Sequence, residues 1–201
     1  MKENTLSRKE QGKLTKEKIF KTAVNLITEK GYDNISVNEI CNQAGVAKGT
    51  FYVHYKSKED IVRESYYLDM GEFVLSKFDE YIKENESISI KDKVIKFLLL
   101  EFEFTKYIGY EMTCLAFVTN ISECIPGPCR HFERRTFTNL LKDMMIEAQN
   151  EGKLKLGHED AFLYLETFVR GMMASWCFAN GEFDILEKGK EYIKKIIDSV
   201  F

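Results

Sequence analysis

The clearest structural signal in this chain lies in residues 36–58, which read Ser-Val-Asn-Glu-Ile-Cys-Asn-Gln-Ala-Gly-Val-Ala-Lys-Gly-Thr-Phe-Tyr-Val-His-Tyr-Lys-Ser-Lys. Ser36 is a good helix N-cap, and Glu39 three residues later is typical of a capping box. Apolar residues then recur at the helical spacing i, i+3, i+4 and i+7, at Val37, Ile40, Cys41 and Ala44. Gly45 predicts the end of this helix, because glycine adopts a left-handed backbone without a Cβ clash.

A second, shorter helix is predicted directly after Gly45. Val46 and Phe51 are expected to point inward, and the residues then left to face solvent are Lys48, Thr50, Tyr52 and His54. Ser57 followed by Asp60 repeats the cap pattern and predicts that a third helix begins there. Two short helices joined by a tight turn form a helix-turn-helix.

The run from Val46 to Asp60 resembles the recognition-helix signature of the tetracycline-repressor (TetR) family of bacterial transcription regulators. The resemblance covers roughly residues 14–62, and beyond them it is a similarity in helical layout only. It implies an N-terminal DNA-binding domain over residues 1–60 and a C-terminal ligand-binding and dimerisation domain over residues 61–201. A helical hairpin whose polar residues are merely solvated is the alternative, and the full signature with both caps disfavours it.

The distribution of charge also favours DNA binding. Residues 1–63 carry 12 Lys and Arg against 8 Asp and Glu, a balance of +4, whereas the remainder carries 17 against 24, a balance of −7. A basic end on an otherwise acidic protein is expected when only that end meets phosphates. Chance variation in solvated charge is the alternative for a difference of this size.

Composition favours a compact, mostly helical protein, with 44% hydrophobic residues and only two prolines in 201 residues. The polar N-terminus predicts no signal peptide. The longest apolar run, Phe97 to Leu100, is too short to cross a bilayer, so a cytoplasmic protein without membrane contact is expected. The three histidines belong to no catalytic triad, phosphate loop or metal set, so neither an enzyme nor a cofactor is expected.

The five cysteines are an odd number without framework spacing, which predicts reduced thiols. Cys124, Cys129 and His131 lack a fourth ligand at a convincing spacing, so no metal site is expected. Oxidation of these cysteines stays open as a means of regulation.

An all-α fold of about nine helices with short connections is predicted. A three-helix N-terminal domain, whose first helix is expected to run from about Thr15 to Gly31 after a flexible arm, precedes a helical bundle. A long helix is expected from Ser57 to about Asn85, and the strongest helix breaker is Ile125-Pro126-Gly127-Pro128. The other helices are expected at about residues 89–107, 110–122, 130–150, 159–179 and 185–200.

The resemblance assigns DNA contacts to the start of the supporting helix, the face of the recognition helix and one later lysine: Ser36, Val37, Ala47, Lys48, Gly49, Thr50, Tyr52, Val53, His54 and Lys58. Lys48 and Thr50 suit either a base edge or the backbone, whereas Lys58 is expected to bind phosphate. Val53 replaces the aromatic residue common in the family and suits a thymine methyl. The implied partner is double-stranded DNA with a palindromic operator, bound by a homodimer.

Aromatic and sulfur-containing side chains are frequent in the C-terminal domain. As a set they resemble the family's effector pocket: Phe102, Tyr107, Tyr110, Met112, Phe117, Phe137, Met144, Phe168, Met172 and Trp176. Packing in the core is the alternative for each of them. Glu166 and Arg170 are spaced i, i+4 and suit an ion pair, whereas an unpaired glutamate in the pocket would favour a cationic lipophile.

The last two helices are expected to form a two-fold, four-helix dimer interface through their apolar residues Phe162, Leu165, Val169, Met173, Ile193, Ile196 and Ile197. The predicted function is that of a repressor released from a palindromic operator by a small apolar or aromatic effector. The alternative is a DNA-binding regulator controlled by a protein partner or by cysteine oxidation.

Overall fold

The computed structural model describes residues 7–85, 87–125 and 136–201. These residues form no strand, and their α-helices are α1 Arg8–Lys30, α2 Val37–Ala44, α3 Lys48–His54, α4 Lys58–Glu84, α5 Ile90–Ile108, α6 Tyr110–Cys124, α7 Thr136–Asn150, α8 His158–Phe178 and α9 Ile185–Val200. A 3-10 turn, Tyr32–Asn34, connects α1 to α2. The all-α prediction is confirmed. The predicted breaker at 126–128 and the predicted helix start at residue 130 lie outside the described residues, as do Cys129 and His131.

Helix α1 begins about two turns earlier than the sequence pattern predicted. Ser7 is its N-cap, and its hydroxyl accepts a hydrogen bond from the Glu10 backbone N–H while the Glu10 carboxylate accepts one from the Ser7 backbone N–H. This reciprocal capping box extends the helix through a polar stretch that carries no apolar stripe. Thr15, the predicted N-cap, lies inside the helix and donates to the Gln11 carbonyl at 2.8 Å. Gly31 ends the helix, as predicted.

The chain divides into two compact units, here called the head, Met1–Ser65, and the body, Tyr66–Phe201. The boundary falls inside α4, which begins in the head and ends in the body. The head has its own small core, formed by Ile19, Ala23, Leu26, Ile35, Ile40, Cys41, Ala44, Phe51, Tyr55 and Ile61. Helices α1, α2 and α3 pack against one another around this core, so the helix-turn-helix is held by a complete hydrophobic cluster rather than by local propensity alone.

In the body, α5 packs against α6, α7, α8 and α9. The contact between α5 and α9 depends on one residue without a side chain: a Cβ placed on Gly189 would lie 2.4 Å from Cδ2 of the buried Phe102 ring. The indole N–H of Trp176 donates to the Phe183 carbonyl at 2.8 Å and ties the end of α8 to the loop before α9. The body core is therefore built from interlocking helices around α5.

None of the helices in the described ranges is long and apolar enough to cross a membrane. Among the same residues, no group of three or more His, Cys, Asp or Glu side chains is arranged to hold a metal ion. Cys41, Cys114 and Cys177 carry free thiols, whereas Cys124 is disulfide-bonded. The expectation that all five cysteines are reduced is therefore wrong, because pairing depends on Cβ geometry that spacing alone does not reveal.

Candidate nucleic-acid interface and effector site

Helix α2, which leads into the turn before α3, is capped at both of its ends. The Ser36 hydroxyl accepts a hydrogen bond from the Glu39 backbone N–H at 3.2 Å, which confirms Ser36 as the N-cap. The Glu39 carboxylate pairs with the Lys30 ammonium at 2.5 Å, and this hydrogen bond holds the pKa of Glu39 below its usual value. At the other end Gly45 is left-handed, with φ of +62°.

Two backbone hydrogen bonds complete the C-terminal cap of α2. The Gly45 N–H donates to the Asn42 carbonyl at 3.2 Å, and the Val46 N–H donates to the Cys41 carbonyl at 3.0 Å. This pair of bonds is the Schellman motif, which satisfies the last carbonyls of a helix and reverses the chain. The direction in which α3 leaves α2 is therefore set by the backbone.

The rotation of α3 about its axis is set by one buried ring. Phe51 is fully buried in the head core, and its ring centroid lies 5.4 Å from that of Tyr52 and 6.0 Å from that of Tyr55. Because Phe51 points inward, the opposite face of α3 points to solvent, where Tyr52 is 50% exposed and Val53 79% exposed. The structure thus gives α3 one anchored face and one open face.

The predicted DNA-contacting residues are distributed over this open face and its flanks. Ser36, Ala47, Lys48, Gly49, Tyr52 and Val53 are exposed, and Val37, Thr50, His54 and Lys58 are half-buried. A Cβ on Gly49 would meet no atom within 4 Å, so the packing of the head does not itself require glycine there. The contacts of these residues with DNA stay a prediction.

Lys58 has contacts that the sequence did not suggest. Its ammonium donates to the backbone carbonyls of Tyr32 and Ile35, at 2.9 and 3.0 Å, and lies 4.0 Å from the centroid of the Tyr32 ring. The Tyr32 hydroxyl donates in turn to the Glu59 carboxylate. Burial, and then this carboxylate, raise the pKa of Tyr32. Lys58 therefore ties the first turn of α4 to the connection between α1 and α2.

The lysines of α1 differ in their surroundings. Lys16 forms an ion pair with Glu64 at 2.9 Å, and its ammonium lies 5.2 Å from the centroid of the Tyr55 ring. The ammonium of Lys18 lies beside the helix-turn-helix turn, 3.7 Å from where a Cβ on Gly45 would be. Lys18 is exposed and is the one α1 lysine that the described structure places at this turn. Sequence spacing could not single it out, because Lys16, Lys18 and Lys21 share one solvated pattern.

The ten residues predicted to line an effector pocket do not share one environment. Phe102, Phe137, Met144, Met172 and Trp176 are buried, and Tyr110, Met112, Phe117 and Phe168 are half-buried. Two pairs of rings are brought together: Phe102 with Phe168 at 6.0 Å, and Tyr110 with Trp176 at 6.2 Å.

Tyr107 differs from the other nine residues, because its side chain is 75% exposed. It lies in the last turn of α5 and stacks on Phe73 at a centroid distance of 5.7 Å, on the surface of the body. The sequence pattern did not reveal this, since Tyr107 follows the buried Phe104 at the helical spacing i+3.

Charged groups lie inside the body. Glu101 and Glu166 are 0% and 1% exposed, and both approach the guanidinium of Arg170. The Arg170 Nε donates to Glu166 at 3.0 Å, and its Nη2 lies 3.6 Å from Glu101. The i, i+4 pair expected from the sequence is therefore present, and α5 adds a second carboxylate. The two carboxylates raise the pKa of Arg170, although burial, the largest influence, acts to lower it.

The residues predicted to form the dimer interface lie mostly in the core of a single subunit, and their role in a dimer stays a prediction. Within one chain, six of the seven are already buried in the body core, namely Phe162, Leu165, Val169, Met173, Ile193 and Ile197, and Ile196 is half-buried. The apolar stripes of α8 and α9 pack against helices of the same subunit, so they offer little surface to a partner. The apolar side chains that α8 and α9 leave exposed are Leu163, Tyr164, Phe178 and Tyr192.

Comparison with known proteins agrees with the helix-turn-helix geometry. The family model "Bacterial regulatory proteins, tetR family" matches residues 19–64. A fatty acid metabolism regulator protein of Bacillus subtilis is 25% identical over 191 residues, which cover 90% of this chain and 93% of the relative. The biofilm operon icaADBC negative transcriptional regulator IcaR of Staphylococcus epidermidis is 28% identical over 198 residues, which cover 92% of this chain and 96% of the relative.

The same fold occurs in solved structures. Thermus thermophilus FadR, a TetR family transcriptional repressor in complex with lauroyl-CoA, has a TM-score of 0.68 at 17% identity, over 92% of this chain and 94% of its own. Bacillus subtilis FadR in complex with stearoyl-CoA has a TM-score of 0.56 at 21% identity, over 92% of this chain and 99% of its own. The head of this protein therefore carries the helix-turn-helix of the TetR family, and the chain as a whole has the fold of the transcriptional regulators with which it aligns.

Proposed function

We propose that this protein is a homodimeric repressor that binds a palindromic operator through α3 and releases it when a small apolar effector binds the body. The observation that carries the proposal is the open face of α3, held outward by the buried Phe51 ring and the capped turn at Gly45. A helix presented in this way fits the major groove, whose width admits one α-helix.

In this proposal the open face of α3 reads the bases. Lys48 at the start of the helix reaches a guanine edge or a phosphate, the Thr50 hydroxyl bonds a base or the backbone, and the exposed Val53 methyls pack on a thymine methyl. Tyr52 and His54 bond phosphate oxygens. Positive charge flanks this face, because Lys18, Lys48 and Lys56 are exposed and form no ion pair with any described residue.

The dimer forms, in this proposal, through the outer face of α8 and its neighbour α9. Phe178 is 87% exposed, and Leu163 and Tyr164 are 54% and 45% exposed on the same helix. Between them a Cβ on Gly171 would meet nothing within 4 Å, which leaves room for close approach of a partner helix. Two copies related by a two-fold axis would place their α3 helices in half-sites about 34–36 Å apart, or a multiple of that distance.

The effector, in this proposal, enters the apolar interior of the body. Two proteins of the same fold are complexes with lauroyl-CoA and stearoyl-CoA, which favours a long apolar chain as part of the effector. A tenfold loss of operator affinity on effector binding requires a coupling free energy of about 1.4 kcal/mol, and operator must weaken effector binding by the same factor. Nothing in the comparisons supports control by a protein partner or by cysteine oxidation.

The test begins with selection of operator DNA from a random duplex library by the full-length protein, followed by binding titrations on the selected operator and on random duplex. Lys48→Ala and Thr50→Ala should lose more affinity for operator than for random DNA, since base contacts carry the specificity. Glu72→Ala, at an exposed position of the body, is the matched control and should bind like wild type. Equal losses on both DNAs would mean that Lys48 and Thr50 only position the backbone, and selection of a site without dyad symmetry would contradict the dimeric model.

A further inference from the structure

A lysine of α1, outside the helix-turn-helix, reaches the turn between α2 and α3. The Lys18 ammonium lies 3.7 Å from the point where a Cβ on Gly45 would be. Gly45 carries no side chain and is itself exposed, as is Lys18, so the ammonium lies at the surface of the turn. Lys18 therefore presents a positive charge at the point where α2 ends and the chain turns into α3.

The Lys18 ammonium has no partner within the part of the head that the structure describes. It carries three N–H donors, yet it forms no hydrogen bond and no ion pair with a described residue. Lys16, two residues earlier on the same helix, differs in this respect. Its ammonium pairs with Glu64 at 2.9 Å and lies 5.2 Å from the centroid of the Tyr55 ring. One lysine of α1 is thus used inside the head, whereas Lys18 is left for a partner outside it.

A cation beside the end of a helix also has a structural explanation, because the C-terminal end of a helix carries partial negative charge. Helix α2 does not depend on Lys18 in this way, since its last carbonyls are bonded by the backbone. The Asn42 carbonyl accepts a hydrogen bond from the Gly45 N–H at 3.2 Å. The Cys41 carbonyl accepts one from the Val46 N–H at 3.0 Å. The cap of α2 is therefore complete without Lys18.

The place of this turn on DNA indicates what Lys18 would bind. When a recognition helix lies in the major groove, its N-terminal residues contact base edges and the preceding helix crosses the backbone. The turn between the two helices then lies beside the phosphates that border the groove. Phosphate oxygens accept hydrogen bonds and carry negative charge, which suits an ammonium whose donors are unused. Lys48 begins α3 directly after the turn and is also exposed, so positive charge adjoins the turn from α1 and from α3.

We infer that Lys18 binds a phosphate of the DNA backbone and acts as a positioning residue, outside the helix-turn-helix, that holds the head while α3 enters the groove. This inference rests on the proposed function in placing α3 in the major groove. Contacts with phosphate carry no sequence information directly. Lys18 should therefore add affinity for every duplex and no preference among sequences.

The test measures the binding constant of the full-length protein at several salt concentrations, on the selected operator and on a random-sequence duplex. Lys18→Met keeps the apolar stem and removes the charge. The slope of log K against log salt should fall by about 0.9 for each bound head, on both duplexes. Lys18→Arg retains the charge and should keep the wild-type slope. The urea midpoint of both variants should match that of wild type, because Lys18 is bonded to no described residue of the head.

Lys9 is the matched control on the same helix. It is exposed and lies nine residues before Lys18, which is about two and a half helical turns and places it on the opposite side of α1. Lys9→Met removes the same charge from the head. It should keep the wild-type slope, because the effect of Lys18 depends on a contact at the turn and not on the total charge of the head.

Four results would overturn the inference: an unchanged slope in Lys18→Met, an equal loss of slope in Lys9→Met, a loss in Lys18→Met that is confined to the operator, or a lost slope in Lys18→Arg. The random-sequence duplex separates this contact from the function proposed above. If the protein selected no operator, but Lys18→Met alone reduced the slope on random duplex, the result would count against the proposed repressor and in favour of the Lys18 contact.

Discussion

Lys58 offers a direct test of how the head is built, because sequence and structure assign it different roles. The sequence predicts that Lys58 contacts a DNA phosphate. In the structure the Lys58 ammonium instead donates two hydrogen bonds, to the Tyr32 and Ile35 carbonyls, and it has three donors in all. We therefore expect Lys58 to position the connection between α1 and α2. Lys58→Met retains the apolar stem and removes only the charge and the donors.

The size of the effect follows from the contacts. A hydrogen bond to a charged group contributes about 1.5–3 kcal/mol to stability, but Lys58 is half-buried and water can replace part of both bonds in the variant. The loss of the cation–π contact with Tyr32, at 4.0 Å, adds about 0.5–1 kcal/mol. We expect the free energy of unfolding of Lys58→Met to fall by about 2–3 kcal/mol in a urea titration.

Lys56 is the matched control, since its side chain is exposed and forms no ion pair with any described residue. Operator affinity is measured as a function of salt concentration for both variants. Lys56→Met should leave stability unchanged and reduce the slope of log K against log salt by about 0.9, the value for one lost phosphate contact. Lys58→Met should keep the slope. If Lys58→Met lost about 0.9 from the slope and unfolded like wild type, the positioning role would be refuted.

Three further predictions concern the body. Gly189→Ala should destabilise the protein by about 1–3 kcal/mol in urea, because the new Cβ would lie 2.4 Å from the Phe102 ring, whereas Gly12→Ala, with nothing within 4 Å, should not destabilise it. Phe178→Glu should give monomers in light scattering with unchanged helical content, and Tyr107→Glu, at another largely exposed position on a different helix, should remain dimeric. The hydrogen bond from Lys106 lowers the pKa of Asp184, the N-cap of α9, so its stabilising effect is present above the unfolded-state pKa of about 3.8 and is lost as pH falls through the lowered value. The stability difference between wild type and Asp184→Asn in urea should therefore shrink between pH 5 and pH 2.5; a constant difference would contradict this assignment.

The sequence predicted helix ends well where a capping residue lies within a few residues of the end. Ser36 and Gly45 mark the ends of α2 because caps act through backbone groups within a few residues, which spacing in the sequence records directly. Ser7 and Glu10 form the same kind of box, yet α1 was expected to begin near Thr15. The turns that follow Ser7 are polar on all sides, so there was no apolar stripe to indicate a helix there.

Contacts between distant segments could not be predicted. Lys58 bonds two backbone carbonyls more than twenty residues earlier in the chain, and a carbonyl carries no mark in the sequence. A residue type predicts which bonds a side chain is able to make, and only the fold decides which partner lies within reach.

The residues predicted for the dimer interface show what a helical apolar stripe does and does not indicate. Val169 and Ile193 are predicted to meet a partner because they lie on the apolar faces of the last two helices, and within one subunit both side chains are already buried in the core of the body. An apolar stripe establishes that a face is buried and leaves open which subunit covers it. A partner surface is better indicated by large apolar side chains that stay exposed to solvent in the single subunit. On α8 these are Leu163, Tyr164 and Phe178. That set can be found only after the core is known, so the interface proposed for this protein rests on the structure, whereas the helix-turn-helix could be predicted from the sequence.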